Sequence, residues 1–396
     1  MTLHERFNSI DIVKGLTVLL AVFLFNLFPD QIPDWPGSSS VPFLGKTVAG
    51  ILFPAFIFLT GITIPFSISK RITEGLSTYE ISRHIFARSV ILITAGVLLV
   101  NTERVDTVQT GFSIHIWSML LIIAFFIVWN RYPENDSRFF TVTGLRLTGL
   151  AILVALVFKF RSGTFENNGS LIPGWWEIPG LAGWAYLIGA FIWLAFRNSL
   201  AMTILFWLFF FGLTIIENLG ITGFLDPAKP YLGVITGGYI PFIAISGQMT
   251  GVLLKKYSII SIGKPVLIIS VSSAVLAASG LLLVRYIFTT GVYGNPGWAL
   301  IGVAGNAAFF AIVLWFDEVR KVFTRVKFLR TAGINMMTVY LLPYFFYNLI
   351  WLSGINIFFY SEAGLALVSI TGSVIWTGFI LWICLLLTKY SIRLKF

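Results

Sequence analysis

The chain of 396 residues is 57% hydrophobic and 16% aromatic, and only 11% of it is charged. Soluble proteins carry about 25% charged residues, so a soluble globular protein is excluded. The net charge of +10 does not call for a nucleic-acid partner, because the Lys and Arg residues fall almost entirely in every other loop between long apolar runs.

A bilayer accepts a helix of about 20 mostly apolar residues. Twelve runs meet that requirement, near 9–28, 46–68, 83–101, 112–130, 139–158, 180–197, 199–219, 238–254, 265–288, 297–316, 333–352 and 366–388. The pattern predicts an all-α polytopic membrane protein of about twelve transmembrane helices, read as one transmembrane domain over 1–396. The first run lacks a small-residue cleavage site and reads as a retained helix. The connecting loops are too short for an independent core. With the N-terminus in the cytoplasm, alternation places 21 of the 27 Lys and Arg residues inside and 6 outside, the sense the positive-inside rule requires. Both termini are therefore expected in the cytoplasm, with membrane lipids as the first partner.

Along the chain, Asp11 and Lys14 come first. Three residues apart, they share a helix face where the helix enters lipid and an ion needs a partner. They read either as a cap with its neutralising charge or as a charge network at the cytoplasmic mouth of a site. The outer loop 29–45 is rich in Pro, Asp and Ser, a turn-forming composition. Pro54 in the second run removes a backbone hydrogen bond and predicts a bend. Lys70, Arg71, Arg83 and Arg88 form a basic stretch on the inner side.

His115 is the most pointed candidate. His4 lies in the N-terminal tail and His84 in a basic inner loop, whereas His115 stands at the outer end of the fourth run. Imidazole is the usual general base for a hydroxyl or amine; the plain alternative is an interfacial histidine bonded to a neighbouring loop. The later outer loops gather Trp175, Trp176, Glu177, Asp226, Asn295 and Trp298. Ring faces beside fixed polar groups suit a sugar-binding surface, and equally an interfacial aromatic belt. Asn101, Asn295 and Asn335 stand near helix ends and either orient a substrate or cap helices. The loop 317–330 carries Asp317, Glu318 and five basic residues: anchoring charge, or capture of a phosphate-rich donor. Cys384, the single cysteine, permits neither a disulfide framework nor a Cys-based metal site, and metal catalysis is not expected.

These stretches carry a family resemblance. Arg6…Ser9…Asp11…Lys14-Gly15, then Leu52-Phe53-Pro54-Ala55-Phe56-Ile57-Phe58…Gly61, then Arg88-Ser89 followed by Val100-Asn101 resemble three motifs of the transmembrane acyltransferases related to lysosomal heparan-α-glucosaminide N-acetyltransferase. Weaker similarities recur at Gly180-Leu181-Ala182-Gly183-Trp184-Ala185-Tyr186 and Gly333-Ile334-Asn335. The resemblance implies an eleven- or twelve-helix enzyme that takes an acetyl group from cytoplasmic acetyl-CoA and passes it to a sugar amine or hydroxyl across the membrane. Read together with the residues above, it gives expected cofactor contacts at Lys14, Lys70, Arg71 and Arg88, substrate contacts at Asn101, Trp175, Trp176, Asn295 and Asn335, and a catalytic set of Asp11, Ser40 and His115, with His115 taken by elimination among the three histidines; its bacterial relatives make a bacterial inner membrane the expected location. The chain departs from the pattern in two places. The family's His-x-x-Trp before the second helix falls on Ser40 and Phe43, and its Asp in that helix falls on Gly50. In the fourth helix Ile114-His115 replaces the frequent Gln-Arg.

The leading expectation is a membrane-embedded acyltransferase moving an acetyl or other acyl group from cytoplasmic acyl-CoA to an extracytoplasmic sugar or glycan. His115 would serve as base, in a cavity expected between the first, second and fourth helices. The alternatives are a glycan or lipid-linked sugar transporter or flippase, and a catalytically inactive family member. A homodimer is left open.

Overall fold

The computed structural model describes residues 7–27, 42–132, 139–162, 169–172, 177–258, 261–287, 294–355, 357 and 366–394. Twelve helices of 16 residues or more run through them. They are α1 (Asn8–Asn26), α2 (Pro42–Thr73), α3 (Thr78–Val100), α4 (Ile114–Trp129), α5 (Phe139–Lys159) and α6 (Ile178–Phe196). Then come α7 (Leu200–Asn218), α8 (Tyr239–Tyr257), α9 (Gly263–Tyr286), α10 (Pro296–Leu314), α11 (Met336–Ser353) and α12 (Ala366–Lys389). Each coincides with one of the twelve apolar runs. Eleven are long and apolar enough to cross a membrane; α4 is equally apolar but has 16 residues. The chain is an all-α polytopic membrane protein.

Two helices extend well past their apolar runs, for identifiable reasons. α2 has 32 residues, about 48 Å of helix, and its last turn carries Lys70 and Arg71 beyond the lipid-compatible stretch. α3 starts at Thr78 rather than near 83. There Ser77 accepts from the Glu80 backbone N–H at 3.2 Å while the Glu80 carboxylate accepts from the Ser77 backbone N–H at 2.8 Å. This reciprocal capping box is built from polar residues, so hydropathy passes over it.

Contacts divide the chain into two compact units. The first comprises Met1–Thr17, Asp34–Gly96 and Trp175–Arg330. At its centre α2 and α8 cross with their backbones almost touching. A Cβ built on Gly61 would lie 1.9 Å from the Ala244 carbonyl oxygen, and one on Gly247 would lie 2.0 Å from the Phe58 carbonyl oxygen. Gly247 and Gly251 form the four-residue small-residue spacing by which membrane helices approach closely. Next to the crossing, α6 and α10 pack on α2, α7 on α8, and α9 on α10. α8 is buried around most of its circumference, whereas α7 and α9 turn most of their surface outward, the distribution expected of inner and lipid-facing helices.

The second unit comprises Val18–Pro33, Val97–Gly174 and Thr331–Phe396. In it α4 packs against α5 and α11, and α12 packs on α11. Trp117 is fully buried and meets Phe160 edge-on at 6.1 Å. The connection before α4 is tightly specified. Asp106 caps a short helix, Thr107–Thr110, by accepting from the Val108 and Gln109 N–H groups, and Gly111 closes it at φ 85°. Ser113 then caps α4 by accepting from Ile116 N–H. This pair of caps fixes where the first turn of α4 begins, and so where the side chain at position 115 emerges.

Candidate functional site

His115 is the second residue of α4. Its Nδ1 lies 2.8 Å from Oδ1 of Asn348 on α11, and its ring stacks toward Trp351 at 6.5 Å with 10° between planes. The hydrogen-bond chemistry fixes the tautomer. Asn348 Nδ2 donates to the Tyr344 carbonyl at 2.7 Å, a bond only the amide nitrogen can make. The amide oxygen therefore faces His115, and Nδ1 must be the donor. In the neutral ring the proton then sits on Nδ1 and the lone pair on Nε2, the arrangement a general base needs. His115 as a residue is partly exposed.

More polar groups follow the same helix. Tyr347 donates to Asn26 Oδ1 at 2.6 Å, and Asn26 Nδ2 donates to Ser373 Oγ at 3.1 Å. Asn26 and Ser373 are buried. Tyr347 stacks on Trp376 at 5.0 Å, and the Tyr340 and Tyr344 hydroxyls lie 3.2 Å apart. Residues 340, 344, 347, 348 and 351 recur at helical spacing, giving one α11 face a stripe of hydroxyls, an amide and rings. Sequence inspection singled out His115 and missed this stripe. The signal was present: an Asn and three Tyr at helical spacing inside an apolar run are expensive in lipid unless they serve a site or a network.

The other candidates are placed as follows. Asn101 is buried and ties two connections together. Its Nδ2 donates to the Ile172 carbonyl at 2.9 Å, and its Oδ1 accepts from Ile172 N–H at 3.1 Å and from Arg104 at 2.8 Å. It thereby orders the backbone just before the stretch that carries Trp175 and Trp176; those two residues, like Ser40, lie outside the described residues. Asn295 is the N-cap of α10, accepting from Gly297 and Trp298 N–H. Asn335 donates to the Thr331 carbonyl at 2.9 Å. It stands 13 residues before Asn348, about 20 Å away along α11.

In the first unit Asp11 is buried in α1 and Lys14 half-buried one turn on. Lys70 is exposed and 3.7 Å from Glu74. Arg71 is 2.6 Å from His84 Nε2; a guanidinium only donates, so Nε2 is the acceptor. Arg88 lies further into its helix, with its guanidinium carbon 4.6 Å from the centre of the Tyr186 ring. His115, Asn101 and Asn335 thus belong to one unit, and Asp11, Lys14, Lys70, Arg71, Arg88 and Asn295 to the other.

Over 99 residues the chain is 31% identical to human heparan-alpha-glucosaminide N-acetyltransferase. The mouse protein of the same name is 33% identical over 97 residues. The human match covers 25% of this chain and 14% of the human protein, so the chain covers only a small part of the curated relatives it matches. No protein-family model matches the chain. The similarity is therefore partial, to a named acetyltransferase, in a chain that is a multi-pass membrane protein.

Proposed function

We propose that this protein is a membrane-embedded acyltransferase that moves an acetyl or other acyl group from cytoplasmic acyl-CoA to an extracytoplasmic sugar or glycan. The observation that carries the reading is the His115–Asn348 pair, which holds the neutral imidazole in the tautomer with its lone pair on Nε2. The partial similarity to acetyltransferases supports the reaction class. His115 Nε2 removes a proton from the acceptor amine or hydroxyl as that group attacks the thioester carbonyl. The tetrahedral adduct collapses, the C–S bond breaks, and the departing thiolate takes up the proton. Asn348 holds the imidazole in register, and the hydroxyls and rings along α11 are suited to orienting a sugar. Lys14, Lys70 and Arg71 supply positive charge for the phosphates of the donor, and Arg88, further into α3, for its more deeply placed polar groups.

The direct test uses protein in nanodiscs with acetyl-labelled acetyl-CoA and a panel of amino sugars and oligosaccharides. Label is expected in the sugar. Failure of transfer with every acceptor, together with sugar movement across vesicles containing the protein, would replace this reading with a transporter or flippase. Donor binding is expected by calorimetry, and it should weaken as salt rises toward about 0.5 M, because contacts between charges near the surface are screened.

The assignment of sides has its own test. In a cysteine-free Cys384→Ala background, Pro36→Cys, Glu166→Cys and Ala228→Cys should react with an impermeant reagent added outside. Arg138→Cys and Lys321→Cys should react only after permeabilisation. Outside labelling of either of the last two would refute the orientation with both termini in the cytoplasm.

A further inference from the structure

Inside the first unit, α2, α3, α6 and α8 enclose a set of polar side chains that the packing leaves unsatisfied. Gln248 on α8 is 0% exposed, and neither its Nε2 nor its Oε1 has a hydrogen-bond partner. The Tyr186 hydroxyl, the Trp193 indole N–H and Arg88 Nε are likewise buried without partners. A buried group left unbonded costs about 1–3 kcal/mol, and the penalty recurs here for five atoms on four side chains that line up.

On α6, Tyr186 and Trp193 are two turns apart on one face, with Gly189 between them. A Cβ at Gly189 would come within 3.1 Å of Gln248 Oε1 and 2.8 Å of Ile64 Cδ1. The glycine thus lets the amide lie close against α6 between Tyr186 and Trp193. Arg88 lies over Tyr186. One to two turns nearer the helix ends, Lys255 holds its ammonium 5.6 Å from the Trp193 ring and hydrogen-bonds to Ser69. Among the described residues no carboxylate pairs with Arg88 or Lys255.

Depth gives the set its direction. Arg88 is ten residues from the start of α3, Tyr186 ten from the end of α6, and Gln248 nine from the end of α8. At 1.5 Å per residue each lies about 15 Å from its helix end. Ser69, Trp193 and Lys255 lie within four residues of the same helix ends. A track of polar side chains therefore runs from the cation near the helix ends to Gln248, Tyr186 and Arg88 deeper in the bundle. Its cationic end lies beside the connections 74–77 and 197–199, which the charge pattern assigns to the cytoplasm.

We infer that this track receives an extended ligand with an anionic head and amide groups along its arm, and that Gln248 is the residue that recognises the amide. A carboxamide with both N–H and C=O unsatisfied is the complement of another amide. Tyr186, Trp193 and Arg88 offer further donors to carbonyl oxygens, while Lys255 meets the anionic head. The inference rests on the acyltransferase reading, in which the pantetheine arm of the donor has this chemistry; Gln248 is then a specificity-determining residue for the donor.

Binding of three probes by the intact protein in nanodiscs tests it: CoA, pantetheine (amides without phosphate) and ADP (phosphates without amides). Gln248→Met should weaken CoA and pantetheine by about 10-fold or more, the effect of one or two buried hydrogen bonds, and leave ADP unchanged. Lys255→Met should weaken CoA and ADP and spare pantetheine. Thermal stability of Gln248→Met should be equal to or above that of the wild type, since an unsatisfied buried amide is removed; a purely structural Gln248 would lower it. Equal affinity of wild type and Gln248→Met for CoA and pantetheine overturns the inference and leaves the acyltransferase reading intact. Wild-type protein that binds neither CoA nor pantetheine overturns it as well, while label transfer decides the acyltransferase reading separately.

Discussion

Replacing His115 with Ala should lower acyl-transfer turnover by about 10²–10⁴-fold, the usual contribution of a positioned general base, with donor affinity little changed. The expectation follows from the tautomer. Asn348 accepts the Nδ1 proton, and the bond from Asn348 to the Tyr344 carbonyl prevents its amide from turning over. In the neutral ring Nε2 is thereby kept as an acceptor. Asn348→Leu retains the imidazole and removes its orientation, so turnover should fall less than in His115→Ala. An interfacial histidine with only a packing role predicts the reverse ranking, with stability changing and turnover unaffected. Full activity of His115→Ala in a folded protein would remove the site assignment and leave the function resting on partial similarity alone.

The second large effect is on folding. Gly247→Leu should destabilise the protein by about 3 kcal/mol or more, at or beyond the upper end of ordinary overpacking, and is expected to abolish recovery of monodisperse protein. The cause is that the obstructing atoms are backbone. A Cβ at 247 would meet the Phe58 carbonyl oxygen at 2.0 Å and Ile62 N at 3.1 Å. Neither can move aside by changing a rotamer, so the two central helices must separate. The same holds at Gly61 against the Ala244 carbonyl, and at Gly251, where the Ile62 carbonyl oxygen is 2.5 Å away. Gly378→Leu on α12 is the control, since a Cβ there meets nothing within 4 Å. Thermal unfolding followed by size-exclusion chromatography reads both variants. A Gly247→Leu protein as stable as Gly378→Leu would mean that α2 and α8 do not cross at these glycines.

The candidate amides show where residue type stops being informative. Asn295 stands beside glycine and proline at a helix start, and the structure uses it as an N-cap. Asn101 clamps the backbone of Ile172, 71 residues away. A short polar side chain near a helix end suits a cap or a substrate contact equally, and only the position of the partner separates the two. Tyr186 belonged to a stretch already noticed for its family resemblance, yet its unsatisfied hydroxyl became visible only once α3 and α8 were placed around it.

By itself the sequence determined the membrane class and the positions of all twelve helices. Both depend on the hydropathy of about 20 consecutive residues, a local property. It also determined that His115, among three histidines, stands at a helix end flanked by apolar residues. Only the tertiary structure decided which face each helix turns inward. That rotation depends on close packing at Gly61, Gly247, Gly251 and Gly189 rather than on hydropathy, because in lipid an apolar side chain is equally at home facing the bilayer or the bundle. For that reason the partner of His115 came from 233 residues away in the chain, and the buried amide of Gln248 could not be told in advance from one turned toward a neighbouring helix.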